Sequence, residues 1–375
     1  MNKALKSRKK PAALLAIAVV GATIAATPPT AVGASATTSA STSAATSASA
    51  AVTGLSGPRG VAMGPRGKLV VAEADGTFSR VVRSGPNAGD TVRIGRVPKG
   101  FLAPAIDINN RGQIFVLTPE GENAGAATLY RYTPGRGREK IANIHRYQRS
   151  DPDPYNLAEP GGQSNPFGVA ALNDGSALVA DAANNDLLRV WPNGEIVTVA
   201  RVRPRTVLSP DLGPEGPPAG TRMPSEAVIT SVTVGADGAY YIGELRGFPA
   251  TPGKSQIWRI KPGSTDAVCN PRKPRQGDCK RYVDGLTSIV DLGAGRGGSI
   301  YAVELSKLSW LAAEAEPPVP GAELGSLIRI SKDRMVRQEL AAGKLVLPGG
   351  VEVGRGGGVF ATTPVFGPGR LLRVR

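Results

Sequence analysis

A single unit recurs six times along the chain, and it constrains the fold more than any other feature. The unit is a short apolar run, a polar turn ending in glycine, and a second apolar run. The copies read "GVAMGPRGKLVVAE" from Gly60, "AIDINNRGQIFVLT" from Ala105, "GVAALNDGSALVAD" from Gly168, "SVTVGADGAYYIGE" from Ser231, "DLGAGRGGSIYAVE" from Asp291 and "GVEVGRGGGVFATT" from Gly350. Gly67, Gly112, Gly175, Gly238, Gly298 and Gly357 occupy the turns. A third run follows each hairpin, as in "LYRY" from Leu129 and "LIRI" from Leu327, and a fourth usually comes next, as in "EIVTVARV" from Glu195. Repeated sets of three to four short antiparallel strands predict an all-β, six-bladed β-propeller. The last unit stops after its third strand, while "AVTGL" at Ala51 precedes the first hairpin much as "YVDGL" at Tyr282 precedes the fifth. The N-terminal strand is therefore expected to complete the sixth blade and close the ring.

Ahead of the repeats, Lys3, Lys6, Arg8, Lys9 and Lys10 precede an apolar stretch from Pro11 to Ala26 and small residues at Ala34, Ser35 and Ala36. This is the pattern of a secretory signal peptide. The expected organisation is a signal peptide over 1–36, a Ser/Thr/Ala-rich linker over 37–50 and the propeller over 51–375. No later stretch is long and apolar enough to span a membrane. A secreted, extracellular and monomeric protein is expected. In that compartment Cys269 and Cys279, the only two cysteines, are expected to form a disulfide around the basic loop "NPRKPRQGD". Removing residues 1–36 takes five basic residues from a chain of net charge +15 and leaves +10. Arg272, Lys273, Arg275, Lys280 and Arg281 are the densest basic cluster. Export and the lack of interleaved aromatics argue against nucleic acid. Anionic cell-wall polymers or lipid surfaces suit this charge better, and a merely solvated basic surface is the competing reading.

The stretches "SNPFGV…DGSALVADAANNDLLRV", "TSVTVGADGAYYIGELRGFP" and "LTSIVDLGAGRGGSIYAVE" resemble the ScyD/ScyE family of secreted bacterial proteins, related in architecture to NHL-repeat propellers. The resemblance covers nearly all of residues 51–375. It implies an exported six-bladed propeller, and it brings no assigned reaction with it.

One series suggests chemistry. The residue six after each turn glycine is Glu73, Thr118, Asp181, Glu244, Glu304 or Thr363. In a propeller these positions share one face of the ring. Oxygen ligands gathered there could hold Ca²⁺ or a cationic ligand. The competing reading is that each acid binds backbone amides in its own turn. Glu73, Asp181, Glu244 and Glu304 are the candidate ligand-binding residues. The third-strand arginines Arg80, Arg131, Arg189, Arg259, Arg329 and Arg373 obey the repeat, which points to structural pairing with acids on nearby turns. Six-bladed SMP-30/gluconolactonase-like enzymes carry metal ligands just before the inner strands. Here those positions hold Arg59, Pro104, Phe167, Thr230, Val290 and Gly349, with Asp291 one residue on. His145 is the only histidine, which excludes a two-histidine acid–base mechanism such as a streptogramin-lyase-like one, and its surroundings match the quinone-dependent sugar dehydrogenases too briefly to be carried over. No serine nucleophile elbow or phosphate loop is present. The long Pro-rich loops 149–166 and 203–224, with Tyr155, Phe167 and Phe248, are candidate binding surfaces.

No complete catalytic set emerges. The expectation is an exported binding or scaffold propeller that engages a protein, a cell-wall polymer or a small molecule. The alternative is a metal-assisted hydrolase or isomerase using the acidic series.

Overall fold

The computed structural model describes residues 48–157, 162–214 and 216–375. The expected signal peptide, and the expected linker up to residue 47, lie outside the described residues. The first strand, Ser49–Ser56, takes in the last two residues assigned to that linker.

Each repeat forms one antiparallel sheet, and six such sheets make the blades. Blade one is Val61–Met63, Leu69–Ala72, Thr77–Val81 and Thr91–Arg96. Blade two is Ala105–Ile108, Ile114–Leu117, Thr128–Thr133 and Gly137–Asn143. Blade three is Pro166–Ala171, Ala177–Asp181, Asp186–Val190 and Ile196–Val202. Blade four is Ile229–Val234, Tyr240–Glu244, Ser255–Ile260 and Cys279–Leu286. Blade five is Ile289–Ala294, Ile300–Glu304, Ser326–Ile330 and Arg337–Leu340. Blade six is Gly350–Val353, Val359–Thr363 and Pro368–Arg373, and Ser49–Ser56 supplies its fourth strand. The closing pairs are antiparallel, with Val52 opposite Leu371 and Leu55 opposite Gly369. The first strand of every blade lines the central channel. Below, the upper face is where the first strands begin, and the lower face carries the hairpin turns.

The hairpins form because apolar runs flank a residue that must take positive φ. Gly238 does so at +76°, with its N–H donating to the Gly235 carbonyl at 2.9 Å. The core is not one mass but a series of slices, each pressed between neighbouring sheets. Between blades three and four, for instance, Leu178, Leu187 and Ala200 meet Ile229, Ile242 and Trp258, all fully buried. Small residues bring the inner strands together: a Cβ on Gly168 would lie 2.8 Å from the Ser231 Cα of blade four.

Two features lie outside the repeat. A hairpin of Arg205–Leu208 with Arg222–Ser225 rises from the long loop 203–224. Ala267–Cys269, from the excursion between the third and fourth strands of blade four, pairs in parallel with the outermost strand of blade three. The disulfide between Cys269 and Cys279 thus ties the rim of blade three to the outer strand of blade four. Among the described residues no helix is long and apolar enough to cross a membrane.

Blade contact at the channel gives a direct test. A Cβ on Gly350 would sit 2.2 Å from the Arg59 carbonyl oxygen, which also accepts the Thr362 hydroxyl. Gly350→Ala should lower stability by about 1–3 kcal/mol, as overpacking does, read as an earlier urea-unfolding midpoint.

Candidate functional site

The acidic series lies at the second-strand exits, one residue per blade, and each member is engaged close to home. Glu73 Oε2 accepts the Ser56 N–H at 2.9 Å. Glu304 Oε1 accepts the Thr287 N–H at 2.7 Å, and its other oxygen accepts the Ser326 hydroxyl. Asp181 Oδ1 accepts Asn165 N–H at 2.8 Å and Ala183 N–H at 3.0 Å, while Oδ2 accepts the Ser164 hydroxyl. Thr363 Oγ1 accepts the Val346 N–H at 3.0 Å. Thr118 Oγ1 bonds Gly125 and Thr128. In four blades the donor lies in the chain leading into that blade's inner strand. The repeated oxygen therefore fastens the link between blades to the second strand. Among the described residues, no three acidic, histidine or cysteine side chains are gathered so as to hold a metal ion.

Glu244 carries more than its counterparts. It is fully buried and accepts Trp258 Nε1–H at 2.7 Å and Gln256 N–H at 3.1 Å. It also pairs with Arg246, which is 1% exposed and donates to the Ser225 and Glu226 carbonyls, both at 3.1 Å. Burial pushes the carboxyl upward, and the Arg246 guanidinium acts against that. Asp181 faces Asp186, also fully buried. Gln148 Nε2–H sits between them, 3.3 Å from Asp181 and 3.0 and 3.1 Å from the two Asp186 oxygens. Burial, then the charge of Asp181, holds Asp186 well above the usual carboxylate range.

Charged side chains meet in the channel, among them Asp107 and Glu352, which the sequence did not single out. Arg59 is 4% exposed and crosses the upper mouth. It donates to the Ala103 carbonyl of the approach to blade two at 3.1 Å and to the Phe167 carbonyl of blade three. Its guanidinium carbon lies 3.8 Å from the centre of the Phe167 ring. Below it, Asp107 takes the N–H groups of Ile108 and of Ala171 in the next blade, both at 2.7 Å. Asp291 does the same with Leu292 at 2.9 Å and Val351 at 2.8 Å. These bridges join adjacent inner strands. Both residues are partly buried. Burial pushes Asp107 up to about 6 and Asp291 up to about 7, the latter opposed by Arg59. Glu352 is held well above its usual range by burial and by the charges of Asp107 and Asp291. A fixed guanidinium at the mouth is a poor neighbour for a divalent cation.

The lower face has the opposite character. A groove of about 840 Å³ runs between blades four and five, with seven Lys or Arg residues and one acid in its walls. The acid, Asp237, is already used: it pairs with Arg259 at 2.8 Å and accepts the Tyr241 hydroxyl at 3.1 Å. Arg275, Lys280, Arg296, Lys332 and Arg334 form no ion pair among the described residues. The repeat explains the imbalance. In blades three and four the turn acids Asp174 and Asp237 pair with the third-strand arginines Arg189 and Arg259. In blades five and six the corresponding turns read "GRGG", so Gly297 and Gly356 replace the acid and Arg296 and Arg355 appear beside it. Arg275 and Lys280 come from the disulfide-bounded excursion. This loss of the turn acid is a sequence signal that the regular arginine series hid.

The remaining candidates fall elsewhere. His145 is exposed on a one-turn helix, Ile144–Gln148, capped by Asn143. Tyr155 lies 4.6 Å under the Arg203 guanidinium, Phe167 is buried beneath Arg59, and Phe248 is 48% exposed.

No family model matches the sequence, and neither does any curated protein. Solved structures do match the fold. A glucose dehydrogenase is 14% identical, with a TM-score of 0.52, over 88% of this chain and 99% of its own. A gluconolactonase from Xanthomonas campestris is 10% identical, also at 0.52, over 88% and 89%. The PQQ-bound aldose sugar dehydrogenase from Streptomyces coelicolor is 14% identical, at 0.51, over 88% and 99%. At these identities the likeness establishes the β-propeller and nothing about chemistry.

Two outcomes follow from these environments. Glu244→Gln should destabilise the fold by about 3 kcal/mol, because it leaves Arg246 buried without its counter-charge. In a chelator-stripped sample, adding Ca²⁺ should not move the melting temperature of either form. The channel carboxyls give the second. Their folded values lie above the unfolded ones, so their contribution is greatest at acid pH and is lost as pH rises through about 6 to 7. The melting temperature should fall as pH rises from about 4 to about 7, and less steeply in Asp291→Asn. A flat profile in the native chain would show that channel water solvates these groups as bulk water does.

Proposed function

We propose that this chain is an exported binding propeller of the ScyD/ScyE kind that takes an anionic ligand on its lower face. The groove between blades four and five carries this reading, because five of its cationic side chains form no ion pair among the described residues, Arg334 alone lying near an acid, Asp333. A cluster of this kind raises its own electrostatic cost and relaxes when an anion enters. The glycine-rich turns keep the floor open, since Cβ atoms are missing at Gly235, Gly297 and Gly298. Export is supported by the N-terminal pattern and by the disulfide that frames one wall. The acidic series on the opposite face is occupied by local hydrogen bonds, so the binding reading takes precedence over metal-assisted hydrolysis.

Tripolyphosphate is a suitable small probe. At about 100 times its dissociation constant it should add about 2.7 kcal/mol and raise the melting temperature, in competition with added salt. The exposed double variant Lys280→Glu/Lys332→Glu should melt as the native chain does without the probe and lose the rise with it. An undiminished rise in that variant would refute the assignment of the groove.

A further inference from the structure

Resting on that anion-binding reading, we propose that the ligand is a linear phosphodiester polymer without nucleobases, laid along a continuous cationic track across blades four, five and six. Three concave stretches on the lower face make the track. The central groove of about 840 Å³ opens toward the rim into a second of about 360 Å³, and the two share Arg275, Arg281, Tyr282 and Arg334. On its other side it meets a third of about 360 Å³ between blades five and six, and Arg296 belongs to both walls. The third stretch adds Arg329, Arg355, Arg373 and Arg375 and has no acidic side chain in its walls. Along the whole track twelve basic side chains face three acids, Asp237, Asp284 and Asp333. Each of these acids is already engaged. Asp237 holds Arg259 and Asp284 holds Arg281, while Asp333 accepts the Ser331 hydroxyl and the Met335 N–H.

Length separates a polymer site from a small-anion site. A small anion is held by donors that converge on one point, whereas here the cations are spread over three connected stretches. A chain with a charge at every repeat can neutralise them in series and release counterions as it does so. Arginine predominates, and its planar fork matches phosphate oxygens in pairs. The aromatic groups argue against bases. Single-stranded nucleic acids need free ring faces for stacking. The three tyrosines of the track do not offer them: Tyr301 and Tyr241 are each 5% exposed, and Tyr241 meets Tyr282 edge to face, with ring centres 4.9 Å apart and planes at 82°. The Arg334 guanidinium lies 5.7 Å over the Tyr282 ring.

The test compares tripolyphosphate, polyphosphate of about fifteen units, a poly(glycerol phosphate) of similar length and a single-stranded oligonucleotide of equal charge, by calorimetry at low and moderate salt. The expected result is an affinity for both base-free polymers at least about tenfold above tripolyphosphate, with a steeper salt dependence. Arg355→Glu/Arg373→Glu, both exposed and outside the central groove, should remove that gain while tripolyphosphate still binds. If length brings no gain, the polymer inference falls and the small-anion reading stands. If no polyanion binds, both fall. If the oligonucleotide matches or exceeds the base-free polymers, the polymer class proposed here is wrong. Unchanged melting temperatures without ligand confirm that the variants are folded.

Discussion

Six twisted sheets pressed face to face form a ring only if the first and last are fastened to each other, and one strand does this here. Ser49–Ser56 pairs with Pro368–Arg373, so the first and last strands of the propeller share one blade. Every slice of the core depends on that pairing, because each blade is packed on one side by the blade before it and on the other by the blade after it. The second-strand oxygens and the channel carboxylates repeat the same task at smaller scale. Glu73, Asp181 and Glu304 fasten each connection as it arrives, and Asp107 and Asp291 stitch one inner strand to the next.

Against so regular a background, departures from the repeat carry the information. The turn acid that neutralises a third-strand arginine occurs in blades three and four alone; blades one and two carry Arg66 and Arg111 there, and blades five and six Gly297 and Gly356. The excursion of blade four adds its own cations beside that gap. The outcome is a face whose charge is concentrated rather than distributed, opposite a face where acids are spent on the backbone. Arg59 illustrates the same division: its guanidinium reaches the Ala103 and Phe167 carbonyls while its own backbone carbonyl accepts the Thr362 hydroxyl, so three blades meet on one residue.

Much of the fold was legible in the sequence because it rests on periodic features. Apolar runs and turn glycines recur, and the short sixth unit matches the spare strand before the first. The acidic series was legible as a series, yet its use was not, since the donors are backbone N–H groups whose position depends on how each link enters the next blade. The cationic track was hidden for a related reason. Arg275, Lys332 and Arg296 lie far apart in sequence and become neighbours only when blades four and five stand side by side and the disulfide folds the excursion back. The helix at Ile144–Gln148 was missed because its single turn, started by the Asn143 side chain, is too short to show a period.

The parallel strand Ala267–Cys269 has a consequence for how copies of this protein tolerate one another. The outer strands of most blades present charge at the rim: Arg93 and Arg96, Arg138 and Lys140, Lys280 and Arg281, Arg337. Such charges discourage another chain from pairing there. The outer strand of blade three, "IVTVARV", has a single charge and four β-branched apolar residues, which leaves this rim open to intermolecular pairing. That is where the extra strand lies, opposite Ala200, Arg201 and Val202. Because Cys269 ends the covering strand, the disulfide keeps this rim occupied and so guards the protein against self-association in crowded surroundings.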